Sequence, residues 1–111
     1  MLGYDRGEAA RFILSHLDVK PFRAIADRLP RIIGEMIDYD LQFMRQAGVI
    51  DGQGAQGPNE YDDDEAFEYI YEAWLGDNPG QDDDDMMVAA LLDRYMELQY
   101  RFLCEQGLAE L

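Results

Sequence analysis

The sequence predicts an all-α protein, a compact bundle of four main helices and one short helix. Apolar residues recur at spacings of three and four along most of the chain, and proline or glycine falls where these runs stop. The turn signals also lack the regular spacing of an all-β chain. With 111 residues and 48% hydrophobic content, the chain suits one domain, residues 1–111, that buries its own core.

Three helices are predicted in the first half of the chain. The first covers residues 6–17, where Ala, Phe, Ile and Leu side chains form an apolar stripe. Pro21 is suited to the first position of a short helix that ends at Leu29, and Pro30 forces a break. The third helix then runs over residues 30–47, with Gly48 as its stop.

A glycine-rich loop separates the third helix from the fourth. Residues 49–61 contain three glycines and a proline, so this loop is either a flexible connector or a surface loop that a partner orders. Asp62 and Glu65 have the spacing of a capping box at the start of the fourth helix. Residues 76–80 form the turn that ends it.

The last helix is the longest and is predicted to be central. It begins after four aspartates at residues 82–85, because a helix start favours negative charge, and Gly107 closes it. Its apolar arc covers ~160°, more than an ordinary surface helix needs. Such a helix needs cover on more than one side, and we therefore expect a homodimer through the last two helices.

The net charge of −15 is confined to one half of the chain. Residues 1–50 carry seven acids and seven bases, whereas residues 51–111 carry seventeen acids and two bases. An acidic surface of this kind repels phosphates and anionic lipids and attracts basic proteins. We expect neither direct nucleic-acid binding nor membrane attachment, and we expect a basic protein partner to be favoured.

Cysteine content and hydropathy indicate a cytoplasmic protein. The single cysteine, Cys104, excludes an internal disulfide. The longest apolar run is far shorter than the ~20 residues of a membrane span, and the N-terminal residues lack the order of a signal peptide.

Few residues could serve in catalysis, so we predict that the protein is not an enzyme. The chain has one serine, one histidine and one cysteine. Ser15 and His16 are adjacent on a helix, and we expect their side chains to point in different directions. Cys104 falls on a polar helix side near Asp93 and Glu97, and these carboxylates reduce its reactivity.

Asp40 is the residue that breaks the apolar pattern. It lies in the middle of the apolar arc of the third helix, where an unpaired carboxylate would cost several kcal/mol. His16 holds a similar place on the first helix, so we expect Asp40 to meet His16 inside the bundle, or else Arg6 or Arg11. A structural pair that fixes helix register is favoured over a ligand or proton-handling site.

No metal or cofactor site is predicted. EF-hand loops counted from Asp62 or Asp77 lack the glutamate at position twelve. Residues 52–57 match the letters of a dinucleotide-binding glycine motif, but that motif requires a preceding strand, and this segment follows a helix.

Three functions remain open. The favoured one is a non-catalytic interaction or regulatory protein that docks on a basic partner. The alternatives are an inhibitor of phage or mobile-element type that mimics nucleic acid, for which Glu65, Glu68, Glu72, Asp93 and Glu97 must form one exposed track, and a small-ligand module with a cavity near Asp40 and His16. The candidate interaction face comprises Asp62, Asp63, Asp64, Glu65, Glu68, Glu72, Asp82, Asp83, Asp84, Asp85, Asp93 and Glu97.

Overall fold

The computed structural model describes residues 3–51, 57–79 and 85–108. Within these ranges the chain forms four α-helices and one 3-10 segment, with no β-strand, which confirms the predicted all-α class. The helices are α1 (Arg6–His16), α2 (Leu29–Gln46), α3 (Asp63–Asp77) and α4 (Asp85–Glu105), and the 3-10 segment spans Lys20–Arg28.

Aspartate side chains cap the starts of two helices. The Asp5 carboxylate accepts a 3.0 Å hydrogen bond from the Glu8 amide at the start of α1. The Asp62 carboxylate accepts hydrogen bonds from the Asp64 and Glu65 amides, at 3.0 and 3.1 Å, before α3. These bonds satisfy amides that have no partner within the helix, and Asp62 is confirmed as the cap.

The predicted short helix is a 3-10 segment with irregular geometry. Phe22 and Ile25 have non-helical backbone angles within it, and both side chains are buried. Pro30 lies in the first turn of α2, where its missing N–H leaves no hydrogen bond unmade. Burial of Phe22 and Ile25 therefore holds the 3-10 segment against the bundle, although the segment is not a regular helix.

Both predicted glycine stops are confirmed. Gly48 follows α2 with a φ of 76° and Gly107 follows α4 with a φ of 72°, values that favour glycine. After α4, the Leu108 amide donates to the Leu103 carbonyl at 2.8 Å, and the Gly107 amide donates to Cys104 at 3.1 Å. This is the bonding pattern of a glycine-terminated helix.

The four helices pack in chain order around one core, and α4 closes the ring against α1. α4 also contacts α2 and the 3-10 segment, so its broad apolar arc is covered by other parts of the same chain. Trp74, Leu91, Tyr95 and Leu98 are among the fully buried side chains. The predicted central position of α4 is shared with α2, which also contacts each of the other helices and the 3-10 segment.

Polar contacts fasten the end of α3 to α2. Tyr39 donates a hydrogen bond to the carboxylate of Asp77, and Arg31 donates to Asn78 Oδ1 at 3.1 Å.

No helix in the described ranges is both long enough and apolar enough to cross a membrane.

Candidate functional site

Asp40 lies on the buried side of α2, as predicted. Only 1% of the residue is exposed to solvent. Its neighbours on the same side of α2 include Ile33, Met36, Ile37 and Met44, all of which are buried. A carboxylate in such surroundings loses most of its hydration, so it requires hydrogen-bond donors from the protein.

Two tyrosine hydroxyls supply these donors. Tyr61 Oη donates to Asp40 Oδ1 at 2.8 Å, and Tyr95 Oη donates to Asp40 Oδ2 at 2.7 Å. Tyr61 lies just before α3 and Tyr95 lies on α4, so the carboxylate joins three parts of the chain. We call these three residues the Asp40 cluster.

Burial determines the acid–base properties of the Asp40 cluster. Desolvation raises the pKa of the Asp40 carboxyl from 3.8 to about 6, although the hydrogen bonds from Tyr95 and Tyr61 act in the opposite direction. The negative charge of Asp63 raises it further. Burial also raises the pKa of both phenols above its usual value. The Asp40 carboxyl can therefore hold a proton at mildly acidic pH, while the tyrosines stay protonated.

His16 is not a partner of Asp40, and this expectation was wrong. Its side chain is exposed, and its Nδ1 lies 2.8 Å from the Phe12 carbonyl oxygen. The imidazole also stacks on the Phe12 ring, with centroids 4.1 Å apart. At the end of α1 the core is met by Leu17, which is buried, whereas the adjacent His16 lies at the surface.

Neither predicted arginine alternative bonds to Asp40. Arg6 donates from Nε and Nη2 to the carboxylate of Asp38, at 2.6 and 2.9 Å, and from Nη2 to the Gly34 carbonyl at 3.0 Å. Arg11 is solvent-exposed on α1. Arg6 therefore joins α1 to α2 through the exposed Asp38, and not through the buried Asp40.

Ser15 and His16 do approach each other, contrary to prediction. Ser15 Oγ lies 3.1 Å from His16 Nδ1, because both side chains fold back to the Phe12 carbonyl. That carbonyl can only accept, so its 2.8 Å contact assigns the hydrogen to Nδ1. A protonated Nδ1 cannot take the serine proton, so this pair lacks the arrangement of a nucleophile and its base.

The segment before α3 is fastened to the end of α2. The Gly57 amide donates to the Val49 carbonyl at 2.8 Å, and Asn59 Nδ2 donates to the Ala47 carbonyl at 2.7 Å. These bonds bring Tyr61 over α2, where its ring meets that of Phe43 edge to face at 5.9 Å. Residues 52–56 of the predicted loop lie outside the described residues.

Sequence reasoning missed both tyrosines of the Asp40 cluster. By helical spacing Tyr95 falls within the apolar arc of the last helix, and a buried phenol there needs a hydrogen-bond partner. Asp40 is a polar residue within the apolar arc of α2, and Tyr95 carries a polar hydroxyl within that of α4. Two such residues on buried helix faces are a signal that could have predicted their pairing. A second such pair joins Gln99 Nε2 to Tyr4 Oη at 2.7 Å.

Acidic side chains form the solvent side of α3. Glu65, Glu68 and Glu72 are exposed, whereas Ala66, Ile70 and Trp74 on the opposite side are buried. α3 contains six acidic residues and no basic one. We call the exposed row of Glu65, Glu68 and Glu72 the α3 acidic face.

The described carboxylates of the acidic half lie at the surface. Every acidic side chain of residues 51–108 whose exposure the structure describes is exposed to solvent. Three ion pairs between described residues each join two members of the same half of the chain. They are Arg6–Asp38, Arg31–Glu35 and Arg94–Glu97. Asp82, Asp83 and Asp84 of the candidate face, and the side chain of Asp85, lie outside what the structure describes.

The α4 members of the candidate face have different surroundings. Glu97 forms a 2.8 Å ion pair with Arg94. Asp93 lies beside the same arginine at an open groove of about 300 Å³, which Asp18, Pro21, Phe22 and Ala90 also line. The five-residue track required for nucleic-acid mimicry therefore includes a carboxylate that already has a cationic partner.

The remaining candidates are Cys104 and groups of side chains that could bind a metal ion. Cys104 is partly exposed, as predicted. Within the described parts of the chain, no three histidine, cysteine or acidic side chains are grouped so that they could hold a metal ion. Comparisons with protein-family models, curated proteins and solved structures find no match to this chain.

Proposed function

We propose that this protein is a small, non-catalytic interaction protein that docks through its α3 acidic face on a basic surface of a partner protein. The observation that carries the proposal is the segregation of α3, with exposed glutamates on one side and a buried tryptophan on the other. A field of one sign steers and selects partners of the opposite sign.

The arrangement of charges on α3 supports docking over a purely internal role. Glu68 and Glu72 are four positions apart on one helix, a spacing at which like charges destabilise the helix slightly. α3 itself supplies no lysine or arginine that would relieve this repulsion. A basic partner would relieve this repulsion. The glutamates also form one row along α3, so they can contact such a partner together.

Affinity capture from the source cell tests the proposal. The bait would be the full chain, compared with the variant Glu68→Gln/Glu72→Gln and the matched control Glu8→Gln/Asp27→Asn, which removes the same charge from exposed positions of the neutral half. We expect a basic protein that the native chain and the control retain at low salt, that the α3 variant loses, and that high salt releases.

Two results would contradict the proposal. One is equal loss of the captured protein with both charge variants, which would indicate a dependence on net charge alone. The other is capture that survives high salt and is unchanged in the α3 variant, because such binding would not use these glutamates.

We also propose that the protein acts in the cytoplasm and forms a homodimer through its last two helices, α3 and α4, in which the outward parts of α4 make contact. Met86 is 87% exposed and Tyr100 is 49% exposed. They are fourteen positions apart, about four helical turns, and so lie on one side of α4. Light scattering coupled to gel filtration would test this assembly, and a monomer at high protein concentration would contradict it.

A further inference from the structure

We infer that the docking surface on α3 selects arginine over lysine in its partner, because two aromatic rings border the glutamates there. This inference rests on the proposed function and specifies its partner as an arginine-bearing segment of a basic protein. The surface consists of Phe67, Glu68, Tyr71 and Glu72.

The two rings form a pair along one flank of α3. The centroids of Phe67 and Tyr71 are 6.1 Å apart and their planes are inclined by 34°. Both side chains are partly buried against the core and keep part of their surface in solvent. The rings are therefore held in place from below and are accessible to another molecule from above.

Helical spacing places carboxylates beside these rings. Tyr71 is three positions after Glu68 and four after Phe67, and residues with these separations are neighbours on a helix surface. Glu72 is in turn four positions after Glu68, so it extends the row of carboxylates by one turn. A cationic side chain that lies across this flank meets an aromatic ring and a carboxylate together.

Arginine fits this combination better than lysine does. The planar guanidinium stacks on an aromatic face and can bond a carboxylate through two parallel N–H groups. A lysine ammonium is a compact, strongly hydrated charge that makes neither planar contact. Both cations are attracted by the glutamates, but arginine gains the bidentate bond and the stacking contact, and the aromatic pair supplies the second of these.

Charge decides against other occupants of the surface. A second copy of the chain would place the glutamates of two α3 helices opposite each other, and nucleic acid would bring phosphates to them. Like charges at an interface cost several kcal/mol. A positively charged segment is therefore the occupant with the complementary field.

Labelled oligoarginine and oligolysine peptides of equal length test the inference by fluorescence anisotropy at low salt. We expect the native chain to bind oligoarginine roughly two- to fivefold more tightly than oligolysine, which is the strength of a cation–π contact at an exposed site. In Phe67→Leu and, independently, Tyr71→Leu, this ratio should fall toward one with oligolysine affinity unchanged. Phe12→Leu, which removes a partly buried aromatic side chain from α1, should keep the ratio of the native chain.

The outcomes separate this inference from the proposed function. If Glu68→Gln/Glu72→Gln weakens both peptides but the native chain binds them equally, arginine selection is refuted and acidic docking stands. If that variant weakens neither peptide, the α3 surface is not the docking site, and both ideas fail. Selection that survives both leucine variants, with helical circular dichroism confirming their fold, would also refute a role for the rings.

Discussion

Asp40 and Glu68 are carboxylates on amphipathic helices of one small bundle, yet their surroundings are opposite. Asp40 on α2 is 1% exposed and accepts hydrogen bonds from two tyrosines. Glu68 on α3 is exposed, on the side of the helix away from Trp74. A carboxylate thus accepts hydrogen bonds inside the bundle on α2, whereas on α3 it is exposed to solvent.

The comparison separates carboxylates that stabilise the fold from those that are free to act on a partner. In the Asp40 cluster, both carboxylate oxygens are already committed to phenols, and any competing ligand would have to displace them. On the α3 acidic face, the glutamates project from a helix whose fold depends on its other side. Substitutions at these two places should therefore have very different effects on stability.

The largest expected effect is that of Asp40→Leu. Removal of the carboxylate leaves the hydroxyls of Tyr61 and Tyr95 without their acceptor, and unpaired buried donors cost ~1–3 kcal/mol each. We expect the free energy of unfolding to fall by about 2–5 kcal/mol in urea titrations at about pH 5, where the native carboxyl is largely protonated.

Glu68→Leu is the matched control for that substitution. It replaces an exposed carboxylate by the same side chain and should change the free energy of unfolding by no more than ~0.5 kcal/mol. If Asp40→Leu proved as stable as the native protein, the two tyrosine hydrogen bonds would not be the contacts that fix α2 against α4 and the segment before α3.

The pH dependence of stability gives the next largest effect. The folded-state pKa of Asp40, about 6, lies above its usual value of 3.8. Folding therefore favours the protonated form, and this contribution to stability is fully present below about pH 4 and is lost as the pH rises through 6. Between about pH 5 and pH 7 the native protein should lose about 1 kcal/mol from this group.

Asp40→Asn isolates that contribution from those of the other carboxylates. Its amide can accept one tyrosine hydrogen bond and donate another, but it does not titrate. We expect the difference in unfolding free energy between native protein and variant to change by about 1 kcal/mol over this range. Parallel pH profiles for the two proteins would mean that the Asp40 pKa is not raised.

A similar effect is expected when a single donor is removed. Tyr61→Phe and Tyr95→Phe each delete one hydroxyl, and each should lower the free energy of unfolding by about 1 kcal/mol. Because both hydrogen bonds lower the Asp40 pKa, each variant should also raise it, as carbon-13 NMR titration of the carboxyl would detect. A pKa that stays the same or falls in both variants would contradict the assigned bonds.

The smallest effect is predicted for the α3 acidic face. Glu65→Gln/Glu68→Gln/Glu72→Gln removes three exposed charges and should alter stability by at most ~0.5 kcal/mol, since no described core contact is lost. Thermal and urea unfolding would measure it. A loss of several kcal/mol would show that these glutamates belong to the fold, and the contrast with Asp40 would disappear.

Local features of the fold were predictable because their causes lie within a few residues. Asp62 caps α3, and Gly48 and Gly107 end α2 and α4, through bonds to nearby backbone groups. The burial of Asp40 also followed from periodicity, because helix pitch alone places it among apolar neighbours. The short helix was predicted less well, since buried Phe22 and Ile25 override its regular geometry.

The partners of Asp40 could not be predicted in the same way. Tyr61 and Tyr95 lie 21 and 55 positions along the chain from Asp40, and only the packing of α2 against α3 and α4 brings them together. The helical wheel places His16 beside the apolar residues of α1, but in the fold it stacks on Phe12 at the surface. The exposure of Glu65, Glu68 and Glu72, by contrast, followed from the position of Trp74 on the other side of α3.

The salt dependence of partner binding tests the central claim most directly, that the glutamates of α3 are free to dock on a basic protein. The dissociation constant of the captured protein would be measured over a range of salt concentrations for the native chain and for Glu68→Gln/Glu72→Gln. We predict a steep weakening with salt for the native chain and a weaker, shallower response for the variant, with the two converging at high salt. Identical curves for the two proteins would contradict the claim.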